Sequence, residues 1–217
     1  MIFIKNIFSH SNLFGAFLLV FGGLLASASN GLVHGLSVSL PVFQMVFFKT
    51  GTSLILLLIL FRGRIQKVAK TQIIRVHALK SLFGALGNFF WFGALLYLPL
   101  AQSAALSLAS ALFTSLGGFF FFKEPFRKAV WIGLAVGFLG VFLILDPFAH
   151  AFHWGILLPL ASAFFFSGSS LIIKPISRSD SSQTTLFYLM VFMCLFSLVP
   201  TLMVWQTPAW KDLLRLV

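Results

Sequence analysis

Acidic residues are almost missing from this chain: four Asp and Glu in 217 residues, namely Glu124, Asp146, Asp180 and Asp212. Paired carboxylates within the membrane are therefore not expected, and neither is proton antiport through an acid in the membrane interior. Cysteine occurs once, at Cys194, so no internal disulfide can form. Zinc needs several thiol or imidazole ligands at set spacings, and none appear. His150 and His153 form a pair at i, i+3, which is too few ligands for a metal site. Charge of any sign is scarce at 9%, against about 25% in soluble domains. No nucleophile elbow, phosphate loop or zinc-protease helix is present. No catalytic residue, metal or cofactor is expected.

What is abundant is apolar. Hydrophobic residues make up 59% of the chain, 29 of the residues are Phe, and the mean hydropathy is +1.04. A helix needs about 20 apolar residues to cross about 30 Å of hydrocarbon. Seven runs qualify, at about Leu13–Asn30, Phe43–Phe61, Ser81–Leu98, Leu100–Phe122, Ala129–Leu145, Trp154–Ile173 and Thr184–Trp205. Strands of a membrane barrel would alternate apolar and polar residues, and the Phe119–Phe122 run does not. The first run is too long, and its sequel too apolar, for a signal peptide. The expected fold is an all-α polytopic membrane protein of about seven transmembrane helices.

The net charge of +11 would suggest nucleic acid in a soluble chain. Here it reads as topology, with no nucleic-acid partner. A cytoplasmic N-terminus places twelve of the fifteen cations on the inner side, among them Arg62, Arg64, Lys67, Lys70, Arg75 and Lys80 of one loop. The outer side receives Lys211 and Arg215, and Lys49 lies within a span. The expected location is a bacterial inner membrane, with the lipid bilayer as the first partner.

A shift of 140 residues aligns the first span with the sixth. Gly15 falls on Gly155, Leu18 on Leu158, Ser27 on Ser167, Ser29 on Ser169 and Ser37 on Ser177. Five spans per unit is an odd number, so the second copy enters the bilayer inverted. Inverted repeats are a signature of secondary transporters, with a site near the midplane between the halves.

Several segments then carry a family resemblance. They are Lys49 within span two, the Ala94–Leu106 passage around Tyr97-Leu98-Pro99-Leu100-Ala101, Phe122-Lys123-Glu124-Pro125, and Gly137-Phe138-Leu139-Gly140-Val141 running to Asp146-Pro147. Together they resemble the drug/metabolite transporter superfamily in its EamA-domain branch of ten-helix carriers. The Leu186-Phe187-Tyr188 start of span seven resembles S-adenosylmethionine uptake carriers within that branch. The resemblance implies a permease for a small polar metabolite, working by alternating access. It implies a complete first five-helix repeat over residues 13–147. Residues 153–217 then hold helices six and seven of a partial second repeat, and Trp210–Val217 resembles the approach to helix eight. A frameshift, a fragment and a degenerating gene all fit a chain without helices eight to ten, and a working seven-span form is the further alternative. A truncated chain would lack one wall of its cavity, and a homodimer is one way to close it. A non-transporting remnant stays open beside the carrier reading, and an intramembrane enzyme fits less well, because the runs read as spans three to seven contain no acid or His.

The candidate substrate-binding residues are Lys49, Asn30, Asn88, Gln102, Ser103 and Ser107. Lys49 lies seven residues into span two, roughly 10 Å deep. It either holds an anionic group of the cargo or snorkels to the interface on its four-carbon stem. Asn30, Gln44, Asn88 and Gln102 either bind cargo or join helices, a bond worth about 0.6 kcal/mol in membranes. Ser103, Ser107 and Ser110 present a hydroxyl face on span four, where Ala101, Ala105 and Ala109 form a small-residue face for close packing. Trp91 and Tyr97 read as packing and interface anchors.

Overall fold

The computed structural model describes residues 10–34, 40–123, 128–145 and 154–208. Its regular structure among those residues is all helix, as a bilayer requires, because helices satisfy their backbone groups internally. The elements are α1 (His10–His34), α2 (Val42–Leu60), a single turn α3 (Ile65–Val68), α4 (Ile74–Tyr97), α5 (Leu100–Ser107), α6 (Ala109–Phe122) and α7 (Lys128–Leu145). After a 3-10 turn at Trp154–Ile156 come α8 (Leu157–Ile176) and α9 (Ser182–Met203). The seven expected runs are these helices, with α5 and α6 forming the fourth. Five stretches among the described residues are long and apolar enough to cross a membrane: α2, α4, α5 with α6, the 3-10 turn with α8, and α9. The chain is a polytopic membrane protein.

Local chemistry sets the helix ends. Pro41 and Pro99 stand immediately before α2 and α5 with extended backbones, where a missing N–H costs nothing. Ser181 caps α9, its hydroxyl accepting from the Thr184 N–H at 3.2 Å. Lys123 stops α6 in a left-handed conformation, φ 50°, and its N–H returns to the Gly118 carbonyl, the usual helix-ending geometry. Between α5 and α6 the backbone stays helical at Leu108 but tightens, the Leu108 N–H bonding the Ala105 carbonyl at 3.2 Å and the Ala111 N–H the Leu108 carbonyl at 3.1 Å.

One boundary departs from expectation. The third helix starts at Ile74, seven residues before Ser81, so Arg75, His77 and Lys80 are helical. Twenty-four residues give about 36 Å, longer than the hydrocarbon core. An apolar-run criterion trims such an end, because it counts each cation as loop. His77 and Lys80 are nonetheless almost wholly buried.

α4 is the centre of the bundle. Its most extensive contact is with α8, and α9 packs against both α2 and α4. α6 packs on α8 and α7 on α6, towards the periphery. The α4–α8 contact is close because Phe and Gly interlock in both directions. Phe166 of α8 lies over Gly87, and Phe83 of α4 lies over Gly168; a Cβ at either glycine would overlap the facing ring. Two hydroxyls of α8 bond across this seam, Ser162 to the Gly87 carbonyl at 2.9 Å and Ser169 to the Lys80 carbonyl at 3.1 Å. Other hydroxyls turn back on their own helices, as Thr50 does to Val46 and Ser197 to Met193, which satisfies them without a partner helix. The outer faces carry exposed apolar side chains, such as Ile132, Val136, Phe138 and Leu143 of α7, suited to acyl chains as solvent.

Candidate substrate cavity

A cavity of about 650 Å³ opens between α1, α2, α4, α5, α6 and α8. Lys49 reaches it from α2. Asn88, Trp91 and Phe92 reach it from α4, spaced so that they share one face. The small residues Ala101 and Ala104 open the α5 wall, Ser107 and Ser110 stand where α5 meets α6, Phe166 closes the α8 side, and Ser27 comes from α1.

Lys49 is half-buried and is the only full charge on this lining. Its ammonium lies 5.3 Å from the centre of the Phe92 ring, a cation–π contact worth about 0.5–2 kcal/mol depending on desolvation. It makes no ion pair among the described residues. The Asn88 amide donates to the Gly84 carbonyl at 2.9 Å, and the Ser107 hydroxyl to the Ala104 carbonyl at 2.7 Å. Both bonds are local, so each side chain retains acceptor capacity towards the cavity.

Three of the six sequence candidates, Lys49, Asn88 and Ser107, thus come together. Gln102 and Ser103 are not in the lining; Ser103 is fully buried, and its hydroxyl has no partner among the described residues. Asn30 lies on α1, but its side chain falls outside the described set. Glu124, Asp146, His150, His153 and Trp210–Val217 also lie outside the described residues. Sequence reasoning undervalued the aromatic wall. Trp91, Phe92 and Phe166 resemble any other aromatic residues of an apolar helix, and only their shared cavity distinguishes them. No cluster of three or more His, Cys, Asp or Glu that could hold a metal occurs among the described residues.

A second groove of about 500 Å³ lies between α4, α6 and α8. Its walls are Phe83, Phe113, Phe120, Leu171 and their apolar neighbours, with Ser167 the one polar side chain. It offers a polar cargo nothing to bind.

Apolar helices around a cavity with a single cation on its lining make the frame of a multi-pass membrane protein. The EamA-like transporter family matches residues 13–146. The chain belongs to that family. It is 30% identical over 203 residues to the riboflavin transporter of Vibrio cholerae, covering 92% of this chain and 68% of that protein. It is 28% identical to the pseudopaline exporter of Pseudomonas aeruginosa, covering 88% and 66%. It is 29% identical to the S-adenosylmethionine uptake transporter of Rickettsia conorii, covering 86% and 64%. The chain therefore spans about two thirds of the length of these relatives. A solved crystal structure shares the fold with a TM-score of 0.63 at 20% identity, covering 93% of this chain and 72% of the other.

Proposed function

We propose that this chain provides the cargo cavity of a bacterial inner-membrane carrier that moves a small polar metabolite by alternating access. Lys49 holds an anionic or carbonyl-rich edge of the cargo. Asn88, Ser107 and Ser110 supply hydrogen bonds, and Trp91, Phe92 and Phe166 contact a flat ring. The N-terminus is cytoplasmic, and residues 13–147 and 153–217 are inverted repeats, the second partial. The observation that carries this reading is the unpaired Lys49 ammonium beside the Phe92 ring on the cavity wall. A cation at the middle of a span costs about 2.5–3.5 kcal/mol on insertion scales, so a retained one is by default a functional site. The relatives named as riboflavin and S-adenosylmethionine transporters support a cargo with a planar ring system.

The test is uptake of radiolabelled riboflavin and S-adenosylmethionine into membrane vesicles carrying the chain, with Lys49→Met and Lys49→Arg beside the parent. Saturable uptake of one cargo is expected, with at least a tenfold rise in KM for Lys49→Met and partial retention for Lys49→Arg. Equal kinetics in all three would make Lys49 a snorkelling side chain and refute its role. No uptake by the parent, restored when helices eight to ten of a full-length relative are appended, would show that this chain alone is not the working carrier.

A further inference from the structure

Two polar clusters join the first half of the chain to α9, one at each end of the bundle. At the end that carries the basic 61–73 loop, the Asp180 carboxylate accepts from the Thr71 hydroxyl and sits 2.7 Å from His77 Nε2. The Tyr188 hydroxyl donates to the Ala69 carbonyl at 2.6 Å, and its ring stacks on His77 at 5.1 Å. At the other end, the buried Gln44 side chain bonds the Gln206 backbone twice, donating to its carbonyl and accepting from its N–H. Phe48 and Trp205 meet beside that pair. Along the α2–α9 and α4–α9 seams, the long-range side-chain hydrogen bonds fall at these two ends, apart from a weak one from Ser81 to the Tyr188 carbonyl at 3.4 Å.

Two features set these clusters apart from ordinary packing. α9 is not among the cavity walls, yet the residues flanking it hold the first turn of α2 at one end of the bundle and the first turn of α4 at the other. Polar side chains within spans more often bond their own helix, whereas these reach backbone and side chains over a hundred residues away. The second feature is His77. It is fully buried, and its Nδ1 has no partner among the described residues. A buried imidazole nitrogen left unmatched in one arrangement has capacity for a partner in another. Asp180, which holds the opposite nitrogen, is the only acid among the described residues.

We propose that the Thr71–His77–Asp180 cluster and the Gln44–Gln206 pair are the two opposed gate ties of the cavity, α9 being the strut that they release in turn. Release of the first frees the basic-loop end of α9 from α4 while the Gln44 end serves as pivot. Release of the second does the reverse. Simultaneous release would leave α9 held by apolar contact and by the Tyr188–Ala69 and Ser81–Tyr188 bonds beside the first tie, with no polar hold at the Gln44 end, which is the leak that alternation must avoid. The idea rests on the carrier reading of the cavity, but its test needs no cargo, so failure of the uptake experiment and failure of this one are distinguishable.

The reporter is Ala104→Cys, an exposed position on the cavity wall, in a Cys194→Ala background. A membrane-impermeant maleimide is applied to intact cells and to inverted vesicles, and Gln66→Cys identifies the basic-loop side. Asp180→Asn should raise labelling from the basic-loop side at least threefold and leave the other side unchanged. Gln44→Leu should do the opposite. A Thr71→Cys, Asp180→Cys pair tests the same tie within one folded chain: labelling at position 104, read apart from that of the pair's own thiols by peptide mass spectrometry, should fall from the basic-loop side on oxidation to the disulfide and recover on reduction. Unchanged labelling in Asp180→Asn, an equal rise from both sides, or insensitivity of the cysteine pair to reduction would each overturn the assignment and leave the clusters as packing contacts.

Discussion

The α4–α8 seam allows a sharp test, because two glycines on one helix sit in different surroundings. A Cβ built on Gly87 would lie 2.7, 2.9 and 3.1 Å from three carbons of the Phe166 ring. Carbon atoms rest at about 3.5–4.0 Å, so Gly87→Ala forces the ring or the helix to move by close to 1 Å. Such overpacking costs roughly 1–3 kcal/mol. Ala is the better helix former by about 0.8–1.0 kcal/mol, which leaves a net loss of up to about 2 kcal/mol. One turn away, a Cβ on Gly84 would meet Leu189, Met193 and Ser169 at 3.5, 3.6 and 3.7 Å. These are ordinary contacts, so Gly84→Ala should be neutral or stabilising by up to about 1 kcal/mol on the same propensity argument. The assay is thermal unfolding of the detergent-solubilised chain. Gly87→Ala should melt below the parent and Gly84→Ala at or above it. Phe166→Leu, which removes the obstructing ring, should shrink the penalty of Gly87→Ala in a double-mutant cycle. If both glycines respond alike, or if Phe166→Leu gives no rescue, the helices do not approach in this register and the reasoning fails.

Three other outcomes follow from the same geometry. Gln66→Cys in a Cys194→Ala background should be labelled by an impermeant maleimide only in inverted vesicles; labelling in intact cells would overturn the cytoplasmic placement of the basic loop. Ser162→Ala removes a buried bond to the Gly87 carbonyl and should cost about 0.6 kcal/mol, and no more than about 1.7; a cost above 3 kcal/mol in the melting assay would show that the hydroxyl does more than join two helices. Burial alone would raise the Asp180 carboxyl, but the hydrogen bonds from Thr71 and His77 and the His77 charge hold it below the usual carboxylate range. A carboxyl depressed in the folded state contributes stability that is complete above the ordinary Asp value of about 3.9 and is lost as pH falls through the depressed one. The difference in melting temperature between the parent and Asp180→Asn should thus be present at pH 5 and shrink only below about pH 4. Its absence at pH 5 would contradict the ionised carboxylate.

Bilayer solvent made much of this protein legible from composition and pattern. A membrane interior admits few charges and requires internally bonded backbone, so the apolar runs marked the helices, and the family motifs between Ala94 and Pro147 marked the transporter class. The third helix shows where that logic stops. Arg75, His77 and Lys80 looked like loop because charge alone decided the boundary, whereas the burial of His77 and Lys80 carries the helix back to Ile74 with Arg75 on its exposed face. Lys49, Asn88 and Ser107 stood out because a polar side chain in a span is costly wherever it points. Ser103 carried the same signal but turned into the packing. The aromatic cavity wall and the Thr71–His77–Asp180 tie had no sequence signal, because Phe among 29 Phe and Thr or His near a helix end are unremarked in one dimension, whereas Gln44 stood among the amides read as binding cargo or joining helices. Hydropathy is a property of each residue summed along the chain, and the sequence by itself determined what depended on that sum: helix, span and class. A cavity, a glycine that admits a facing ring, or an Asp180 beside His77 depends on which faces meet across 75 to 162 residues of chain, and only tertiary packing decides that.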